Sequence, residues 1–446
     1  MENSAKDNIL RSWKEVAAYL GYDQRTCYRW ELRFGMPVHR AEGGTSKSHV
    51  VAYKDELDRW FQATFVNSNR PAPPKTVPWP SARRFVLVLL PLMAVAAILI
   101  VKTTRSANGQ PADFHIRDSV LIITDEAGQE LWRKDMKVEG LVDEDGYRAV
   151  FQSVNSLKSP LGLPSLVIRD IDGDGRNEVL FAVQKKDDAY GEGRLYCFDS
   201  AGKERWRFDA GSEMRFGGRI FSPDYRICGL APHDFRGDGR QEIVVISYHY
   251  PHWPCQLVVL DCRGRKTGEF WNSGYLNSLA TQDIDGDGKE EMIVGGVNNE
   301  WGGCVIVFDP DRISGCSPQT GEFRSDTLPP GSEKYYVRFP RSDVSLALGD
   351  IIEGLHHIGI TGNRHIAAYN DHGIIYELDF SLRGLSVDFG HGYMIKHNEL
   401  RAAGKIQSSY TDPAYKESFR KGIRYWNGTE WVAEPTPNAR RVGAPK

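Results

Sequence analysis

The amino-acid sequence predicts a multidomain protein with a small α-rich head, a single transmembrane helix and an all-β body. Three observations support this prediction. A 17-residue run without polar side chains interrupts the 446-residue chain at Phe85–Val101. The segment before this run has apolar residues at helical spacing, and the segment after it repeats one acidic loop three times. A chain of this length exceeds one compact core, so several domains are expected.

The head and the body carry net charges of opposite sign. Residues 1–84 contain 14 Lys and Arg against 9 Asp and Glu, a net charge of +5, and the remainder contains 42 against 50, a net charge of −8. A basic head on an acidic body indicates two partners in two places. Apolar residues make up 41% of the chain and charged residues 26%. These fractions exclude wholesale disorder and a polytopic membrane protein.

The head, residues 1–69, has the pattern of two short helices joined by a tight turn. Ser12 is a favourable N-cap, and Glu15 three residues later completes a capping box. Apolar residues recur at helical spacing through WKEVAAYL, and Gly21 ends the helix. A second helix, capped by Asp23, is predicted to run to about Phe34.

A hairpin and a third helix are predicted to complete the head. The segment PVHR at 37–40 and the glycine pair at 43–44 indicate a wing with basic tips, and YKDELDRW at 53–60 indicates a closing amphipathic helix. Two short helices, the second rich in Arg, are typical of domains that enter the DNA major groove. Arg side chains bond guanine edges or hold phosphates.

The head resembles the excisionase/MerR-like winged helix-turn-helix family over about residues 11–62. The strings WKEVAAYLG, RTCYRWE and GMPVHR carry the resemblance. It implies that the second helix and the wing contact double-stranded DNA. The candidate DNA-binding residues are Gln24, Arg25, Thr26, Tyr28, Arg29, Arg33, His39 and Arg40. The alternative is a small helical protein–protein module whose Arg face is solvated.

A linker and a membrane span are predicted between the head and the body. Residues 70–84 contain five prolines and no apolar periodicity, which favours an extended spacer. The apolar run and its flank, residues 85–104, predict a transmembrane helix, since 17 helical residues span about 26 Å of a ~30 Å hydrocarbon core. The alternatives are a buried core helix and a signal peptide, the latter disfavoured by the long preceding segment.

The body, residues 105–446, repeats an acidic nine-residue loop before short apolar strands. The copies are DIDGDGRNE at 170–178, DFRGDGRQE at 234–242 and DIDGDGKEE at 283–291, with starts 64 and 49 residues apart. Hairpins with Asp/Gly turns recur between them, as in LYCFDSAGKERWRF at 195–208. Strands about every ten residues with turns between them predict an all-β array of repeated units.

The spacing of the loop oxygens predicts calcium sites. Carboxylates at positions 1, 3, 5 and 9, a carbonyl at position 7 and a glycine at position 6 can surround a hard cation. The predicted ligands in the first and third loops are Asp170, Asp172, Asp174, Arg176 (carbonyl), Glu178, Asp283, Asp285, Asp287, Lys289 (carbonyl) and Glu291. The second loop keeps Asp234, Asp238, Arg240 (carbonyl) and Glu242. Its position 3 is Arg236, so either its calcium affinity is lower or the Arg replaces the ion.

The body is similar to the FG-GAP/VCBS repeats of integrin-α-type β-propellers over about residues 115–435. The three acidic loops carry this resemblance. It implies a β-propeller with structural Ca²⁺ on its rim. At roughly 45–60 residues a blade, a segment of this length holds about six or seven blades. We expect the ring to close by pairing of strand 114–124 with RYWNGTEW at 424–431. The alternative for each loop is an Asp/Gly hairpin turn without metal.

Motifs of catalysis are absent from the sequence, and the cysteines leave two alternatives open. The chain contains no GxSxG, no GxxxxGK[ST], no HExxH and no GxGxxG after a strand, so it is not expected to be an enzyme. Among the seven cysteines no pair has CxxC spacing. Cys255 with Cys262 and Cys304 with Cys316 are spaced to bridge in an oxidising compartment, and buried free thiols are the alternative.

These features together predict a single-pass, membrane-anchored transcriptional regulator. DNA lies inside the cell and calcium is near millimolar outside it. We therefore expect a cytoplasmic N-terminus, a span in the cell (inner) membrane and an extracytoplasmic body that senses an unknown ligand or protein. Signalling across the membrane requires an element with two states, such as a change in the association of the bodies of a homo-oligomer or in the packing of the span. The alternative is a surface adhesion or scaffold protein whose body binds protein or glycan and whose head docks a cytoplasmic partner.

Overall fold

The structure, a computed structural model, describes seven stretches of the chain. They are residues 8–22, 24–40, 50–61, 109–154, 162–186, 193–249 and 253–438. The chain divides into two compact units, Met1–Ala94 and Val95–Lys446. The predicted linker at 70–84 and the predicted transmembrane helix at 85–104 lie outside the described residues. Among the helices of the described stretches, none is long and apolar enough to span a membrane.

The described residues of the N-terminal unit form three helices and a three-stranded antiparallel sheet of order β1-β3-β2. Its elements are β1 (Ile9–Leu10), α1 (Trp13–Leu20), α2 (Gln24–Phe34), β2 (His39–Arg40), β3 (Val50–Tyr53) and α3 (Lys54–Phe61). The predicted helix pair, hairpin and closing helix are present. The strand β1, which pairs Leu10 with Ala52, escaped prediction because two residues show no periodicity. The predicted glycine pair at 43–44 lies outside the described residues.

Helix α1 begins and ends as the sequence predicts. The Ser12 hydroxyl accepts a hydrogen bond from the Glu15 backbone N–H at 3.2 Å, and the Glu15 carboxylate accepts one from the Arg11 N–H at 2.8 Å. Gly21 ends the helix at φ +78°, the left-handed conformation that a side chain would disfavour. The helix buries Trp13 and Val16 against the rest of this unit.

The C-terminal unit consists of successive antiparallel sheets whose strands follow chain order. We call these sheets blades 1 to 5. Blade 1 contains β4 (Asp113–Arg117), β5 (Val120–Thr124) and β6 (Glu130–Asp135). Blade 2 contains β7 (Leu166–Arg169), β8 (Glu178–Ala182), β9 (Arg194–Phe198) and β10 (Glu204–Asp209). Helix α4 (Glu144–Val154) lies between them in the chain.

Blades 3 to 5 each contain four strands in the same meander. Blade 3 contains β13 (Tyr225–His233), β14 (Glu242–His249), β15 (Cys255–Leu260) and β16 (Lys266–Asn272). Blade 4 contains β17 (Leu276–Gln282), β18 (Glu291–Asn298), β19 (Gly302–Phe308) and β20 (Tyr335–Arg338). Blade 5 contains β21 (Leu355–Ile360), β22 (Ile366–Asn370), β23 (Ile374–Leu378) and β24 (Gly384–Phe389). The short hairpin β11 (Met214–Phe216) and β12 (Arg219–Phe221) precedes blade 3. Repeated four-stranded meanders are the blade architecture of propellers.

Each inner strand packs against both neighbouring blades. In β14, Ile243 and Val245 contribute to the apolar cluster shared with blade 2, whereas Val244 and Ile246 contribute to the cluster shared with blade 4. Successive side chains of a strand point to opposite faces, so a strand between two sheets must be apolar throughout. This explains why the runs after the acidic loops, such as IVVIS at 243–247, lack polar alternation.

The predicted closure of the ring is wrong. Strand β25 (Arg424–Trp426) pairs with β20, with Tyr425 opposite Val337, and β26 (Trp431–Val432) pairs with β25. These two strands extend blade 4 to six strands instead of pairing with residues 114–124. Strand β4 pairs with β5 of its own blade. A matching strand pattern at the two ends of the body does not specify which edge the last strand joins.

The described residues contain five blades, against six or seven predicted. The length of the body would hold six or seven blades only if all of it formed blades. Part of that length forms helices instead: α5 (Asp343–Leu348), α6 (His391–Ala402) and α7 (Pro413–Gly422). A long irregular segment between β19 and β20 uses a further part.

The seven cysteines all lie in described stretches, and none of them forms a disulfide bond. Cys255 begins strand β15 and Cys262 lies just beyond its end. Extended residues rise about 3.3 Å each, so these two sulfurs are too far apart to bridge. Six of the seven thiols are buried, so the buried-thiol alternative describes this fold.

Candidate functional site

The three acidic loops occupy one equivalent position in blades 2, 3 and 4. Each connects the first strand of its blade to the second: residues 170–177, 234–241 and 283–290. Each loop leads directly into a strand whose first five residues are buried, as the sequence predicts. The repeat in sequence is therefore a repeat in structure.

The aspartate at position 1 organises each loop through backbone hydrogen bonds. In the first loop, Asp170 Oδ1 accepts from the Gly173 N–H and Oδ2 accepts from the Gly175 N–H, both at 2.8 Å. Asp283 accepts in the same way from Gly286 and Gly288 at 2.7 and 3.0 Å. The loop conformation is thus held by the protein itself.

The glutamate at position 9 turns back beneath each loop. Its Oε2 accepts the backbone N–H of position 2: Ile171 to Glu178 at 3.1 Å, Phe235 to Glu242 at 3.2 Å and Ile284 to Glu291 at 3.0 Å. The three glutamates are 2%, 7% and 4% exposed. A buried carboxylate needs a compensating charge, and the structure supplies one in each loop.

Arg205 compensates the buried negative charge of Glu178 in the first loop. It lies on β10, the last strand of blade 2, and donates from Nη1 to Glu178 Oε1 at 2.9 Å and from Nη2 to Asp172 Oδ2 at 2.7 Å. One guanidinium therefore binds the carboxylates of positions 9 and 3 together.

Lys334 has the corresponding role in the third loop. It lies one residue before β20, the fourth strand of blade 4, and its Nζ donates to Asp285 and, at 2.6 Å, to Glu291 Oε1. In the second loop the basic residue comes from the loop itself, since Arg236 at position 3 lies 3.3 Å from Glu242 Oε1. Every loop thus pairs its position-9 glutamate with a cationic side chain.

Burial and ion pairing have opposite effects on the pKa of each of these groups. Burial raises the pKa of Glu178 above its ordinary value, against the lowering effects of the Ile171 N–H and Arg205. Burial likewise raises the pKa of Glu242. Burial tends to lower the pKa of Lys334, but its bonds to Asp285 and Glu291 prevail and the pKa is raised.

Two of the loops bring together three predicted calcium ligands each. The oxygens of Asp170, Asp172 and Glu178 lie within 4.8 Å of one another, as do those of Asp283, Asp285 and Glu291. The position-5 residues, Asp174 and Asp287, are not in these clusters. Each accepts the N–H of its position-7 residue, Arg176 and Lys289 respectively, at 2.8 Å. In the second loop, the described residues form no three-carboxylate cluster.

Carboxylate oxygens are the donors that Ca²⁺ prefers, so the two clusters fit this ion in chemistry. Arg205 and Lys334 nevertheless bind two of the three carboxylates in their clusters. A calcium ion at either cluster would compete with that basic side chain. Local sequence patterns do not reveal Arg205 and Lys334, because each lies more than 25 residues from the carboxylates that it binds.

The predicted DNA-binding residues lie on α2 and β2. Gln24 is exposed at the start of α2, and the exposed ring of Tyr28 stacks on Trp13 with centroids 4.1 Å apart. His39 Nε2 lies 2.7 Å from Glu56 Oε2 of α3. Thr26 is half-buried. The side chains of Arg25, Arg29, Arg33 and Arg40 lie outside the part that the structure describes.

A cleft that no sequence motif predicts lies beside blade 4. It has a volume of about 750 Å³ and is bounded by the irregular segment 316–333 and by the added strands β25 and β26. Three half-buried tryptophans line it: Trp301, Trp426 and Trp431. We call this the aromatic cleft. Its nearest sequence signal is RYWNGTEW at 424–431, which places two tryptophans on one hairpin.

The tryptophans of the aromatic cleft form a connected set. The ring centroids of Trp431 lie 5.4 Å from Trp426 and 5.6 Å from Trp301. The Arg338 guanidinium lies 4.7 Å from the Trp301 ring and 4.6 Å from the Trp431 ring. Trp301 Nε1 also donates to the Pro318 carbonyl at 2.9 Å. These contacts hold the rings in place before any ligand binds.

One Ser–His–Asp group lies elsewhere in the C-terminal unit, beside helix α6. His397 Nε2 is 3.3 Å from Ser408 Oγ and 3.8 Å from Asp343 Oδ2. The Ser408 hydroxyl donates directly to Asp343. In a catalytic triad the histidine lies between the serine and the aspartate and accepts the serine proton. This group therefore lacks the geometry of a nucleophile.

Comparison with known proteins identifies a repeat in blades 2 and 3. Residues 170–245, which span the first two acidic loops, match the FG-GAP-like repeat. The predicted resemblance is thus confirmed for this segment. No curated protein matches the sequence.

Solved structures similar to this chain include three proteins of low identity. The V. cholerae biofilm matrix protein Bap1 is 18% identical with a TM-score of 0.25, and the match covers 48% of this chain and 29% of that one. The Dos1 propeller is 9% identical with a TM-score of 0.30, covering 62% and 67%. The Bacillus licheniformis rhamnogalacturonan lyase PL11 is 14% identical with a TM-score of 0.26, covering 71% and 65%. TM-scores of this size establish neither a shared fold nor a shared function.

Proposed function

We propose that this protein is a cell-surface adhesion or scaffold protein. Its C-terminal unit binds a protein or a glycan outside the cell, and its N-terminal unit docks a partner in the cytoplasm. The observation that carries this proposal is the aromatic cleft beside blade 4. It forms where an irregular segment and two added strands depart from the repeated meander. Binding residues concentrate in such irregular segments on a rigid scaffold.

The acidic loops have a structural role in this proposal. Their carboxylates are already bound by backbone N–H groups and by basic side chains, so they stabilise the turns of blades 2 to 4. Calcium at the first and third loops would strengthen the same turns when it displaces Arg205 or Lys334. No catalytic step is assigned to the loops.

The apolar run at 85–101 is the membrane anchor in this proposal. It separates a basic head from an acidic body, and a span of this length suits a single crossing. The head is then in the cytoplasm and the five blades are outside the cell.

Attachment of cells that produce the chain tests the adhesion proposal. Cells producing the full chain should attach to a layer of like cells several-fold more than cells with an empty vector. The doubly substituted chain Trp426→Ala/Trp431→Ala, present at the same surface level, should attach no more than the empty-vector cells. Equal attachment of all three cell lines would contradict the proposal.

A DNA-binding transcriptional regulator is the second candidate function. The observation that favours it is the order of elements in the head, where α1 and α2 are joined by a tight turn at Gly21 and followed by the hairpin β2–β3. Winged helix-turn-helix domains place the second helix of such a pair in the DNA major groove. In this candidate, double-stranded DNA is the partner of the head and the body senses the extracytoplasmic ligand.

A further inference from the structure

We infer that the aromatic cleft is a binding site for a neutral glycan. This inference rests on the proposed binding function and specifies its ligand. Three kinds of observation support it: the tryptophan rings, the polar groups of the walls and the charge around the site.

The tryptophan rings suit the apolar faces of sugar rings. Indole surfaces bind flat apolar groups at low entropic cost because they have few rotatable bonds. Trp301, Trp426 and Trp431 are each half-buried, so part of every ring borders the cleft. Their contacts with each other and with Arg338 fix their orientation. A ligand therefore meets a preorganised aromatic surface.

The walls of the cleft supply hydrogen-bonding groups to match sugar hydroxyls. Thr320, Asp326 and Glu430 line it and are exposed. Gln319 lines it too and is half-buried. Asp326 and Glu430 supply carboxylate oxygens that accept hydrogen bonds from sugar hydroxyls. A volume of about 750 Å³ is within the range of small-ligand sites and admits several sugar rings.

The charges at the cleft disfavour two other kinds of ligand, a quaternary ammonium group and an acidic glycan. A quaternary ammonium group is disfavoured, because the Arg338 guanidinium lies over the rings of Trp301 and Trp431 and repels a second cation. An acidic glycan is disfavoured because Asp326, Glu333 and Glu430 outnumber Arg324 among the charged lining residues. A neutral sugar avoids both repulsions.

Titration of the purified full-length chain with neutral oligosaccharides tests the inference. The probes are cellohexaose, mannohexaose and the hexamer of N-acetylglucosamine, each with a fluorescent label. We expect at least one to bind saturably and Trp426→Ala to weaken that binding at least tenfold. Trp426→Phe, which keeps an aromatic ring, should restore part of the affinity. The Glu430→Gln variant, which changes an exposed side chain at little risk to folding, should weaken it severalfold.

The matched control is Glu213→Gln, at an exposed position outside the cleft, which should bind as the unsubstituted chain does. Failure of all three probes to bind, binding unchanged in Trp426→Ala and Glu430→Gln, or saturable binding of choline at the cleft would each overturn the inference. Attachment of cells without oligosaccharide binding would leave the adhesion proposal standing with a protein ligand. Oligosaccharide binding without attachment would leave the glycan site standing and remove adhesion.

Discussion

The indole of Trp206 in blade 2 lies against Gly264 in a turn of blade 3. A Cβ atom built on Gly264 would lie 2.6 Å from Cδ2 of Trp206, and Trp206 Nε1 donates to the Cys262 carbonyl at 3.0 Å. Blades 1 and 2 repeat this relationship, since a Cβ on Gly202 would lie 2.7 Å from Trp132. A tryptophan of one blade thus packs on the glycine turn of the next.

Substitution of Gly264 should therefore destabilise the C-terminal unit. Gly264→Ala adds a clash with Trp206 to the strain of φ +76°, so we expect a loss of about 2–5 kcal/mol in the free energy of unfolding. Gly128→Ala is the matched control, because Gly128 has φ +74° in the equivalent turn of blade 1 and nothing within 4 Å. It should cost about 1–2 kcal/mol. Urea unfolding of the full chain checks both values, and equal losses would contradict the packing role.

Loss of Arg205 should make the first acidic loop dependent on calcium. Arg205→Gln leaves the largely buried Glu178 without its cation, so we expect a loss of about 1–3 kcal/mol in calcium-free buffer. Millimolar Ca²⁺ should restore most of this stability, because the ion can then bind Asp170, Asp172 and Glu178 without competition. Urea unfolding with and without CaCl₂ gives both quantities.

The control for this substitution is Arg207→Gln, two residues along the same strand and exposed. It should unfold like the unsubstituted chain with and without calcium. If Ca²⁺ stabilises the unsubstituted chain as much as Arg205→Gln, Arg205 does not compete with the ion.

The sequence predicts the local parts of this molecule and misses the parts that depend on distant pairing. Helix α1 follows from a cap, an apolar stripe and Gly21, and each acidic loop follows from nine consecutive residues. Arg205 and Lys334 could not be assigned to their loops, because strand pairing rather than sequence proximity brings them there. The added strand β25 and the aromatic cleft depend on the same long-range choice of edge.

Burial of His397 should make the C-terminal unit less stable in mild acid. Burial lowers the pKa of His397 below its ordinary value of 6.5, although Asp343 raises it. The unfolded chain therefore takes up a proton more readily than the folded chain. The contribution of the buried, neutral His397 to the stability of the folded state is complete above pH 6.5. It is lost as the pH falls through the folded-state pKa of His397. Urea midpoints at pH 8 and pH 5 should show this loss.

His397→Gln should reduce that difference between the two midpoints, because the titrating group is gone. His391→Gln, at the exposed start of the same helix α6, should retain it. An unchanged pH dependence in His397→Gln would assign the acid sensitivity to other groups.

The DNA-binding candidate makes a prediction that the adhesion proposal does not make. Arg25 and Arg29 lie on α2 one turn apart, so both can approach a DNA duplex that receives this helix. Arg25→Ala/Arg29→Ala should weaken retention of genomic DNA fragments by the full chain at least tenfold in a gel shift. The salt dependence of binding should also become less steep, because two phosphate or base contacts are lost. Arg59→Ala on α3, where the guanidinium pairs with Asp55 at 3.3 Å, should bind DNA like the unsubstituted chain. If the double substitution leaves retention unchanged, or if the unsubstituted chain retains no DNA, the DNA-binding candidate is rejected.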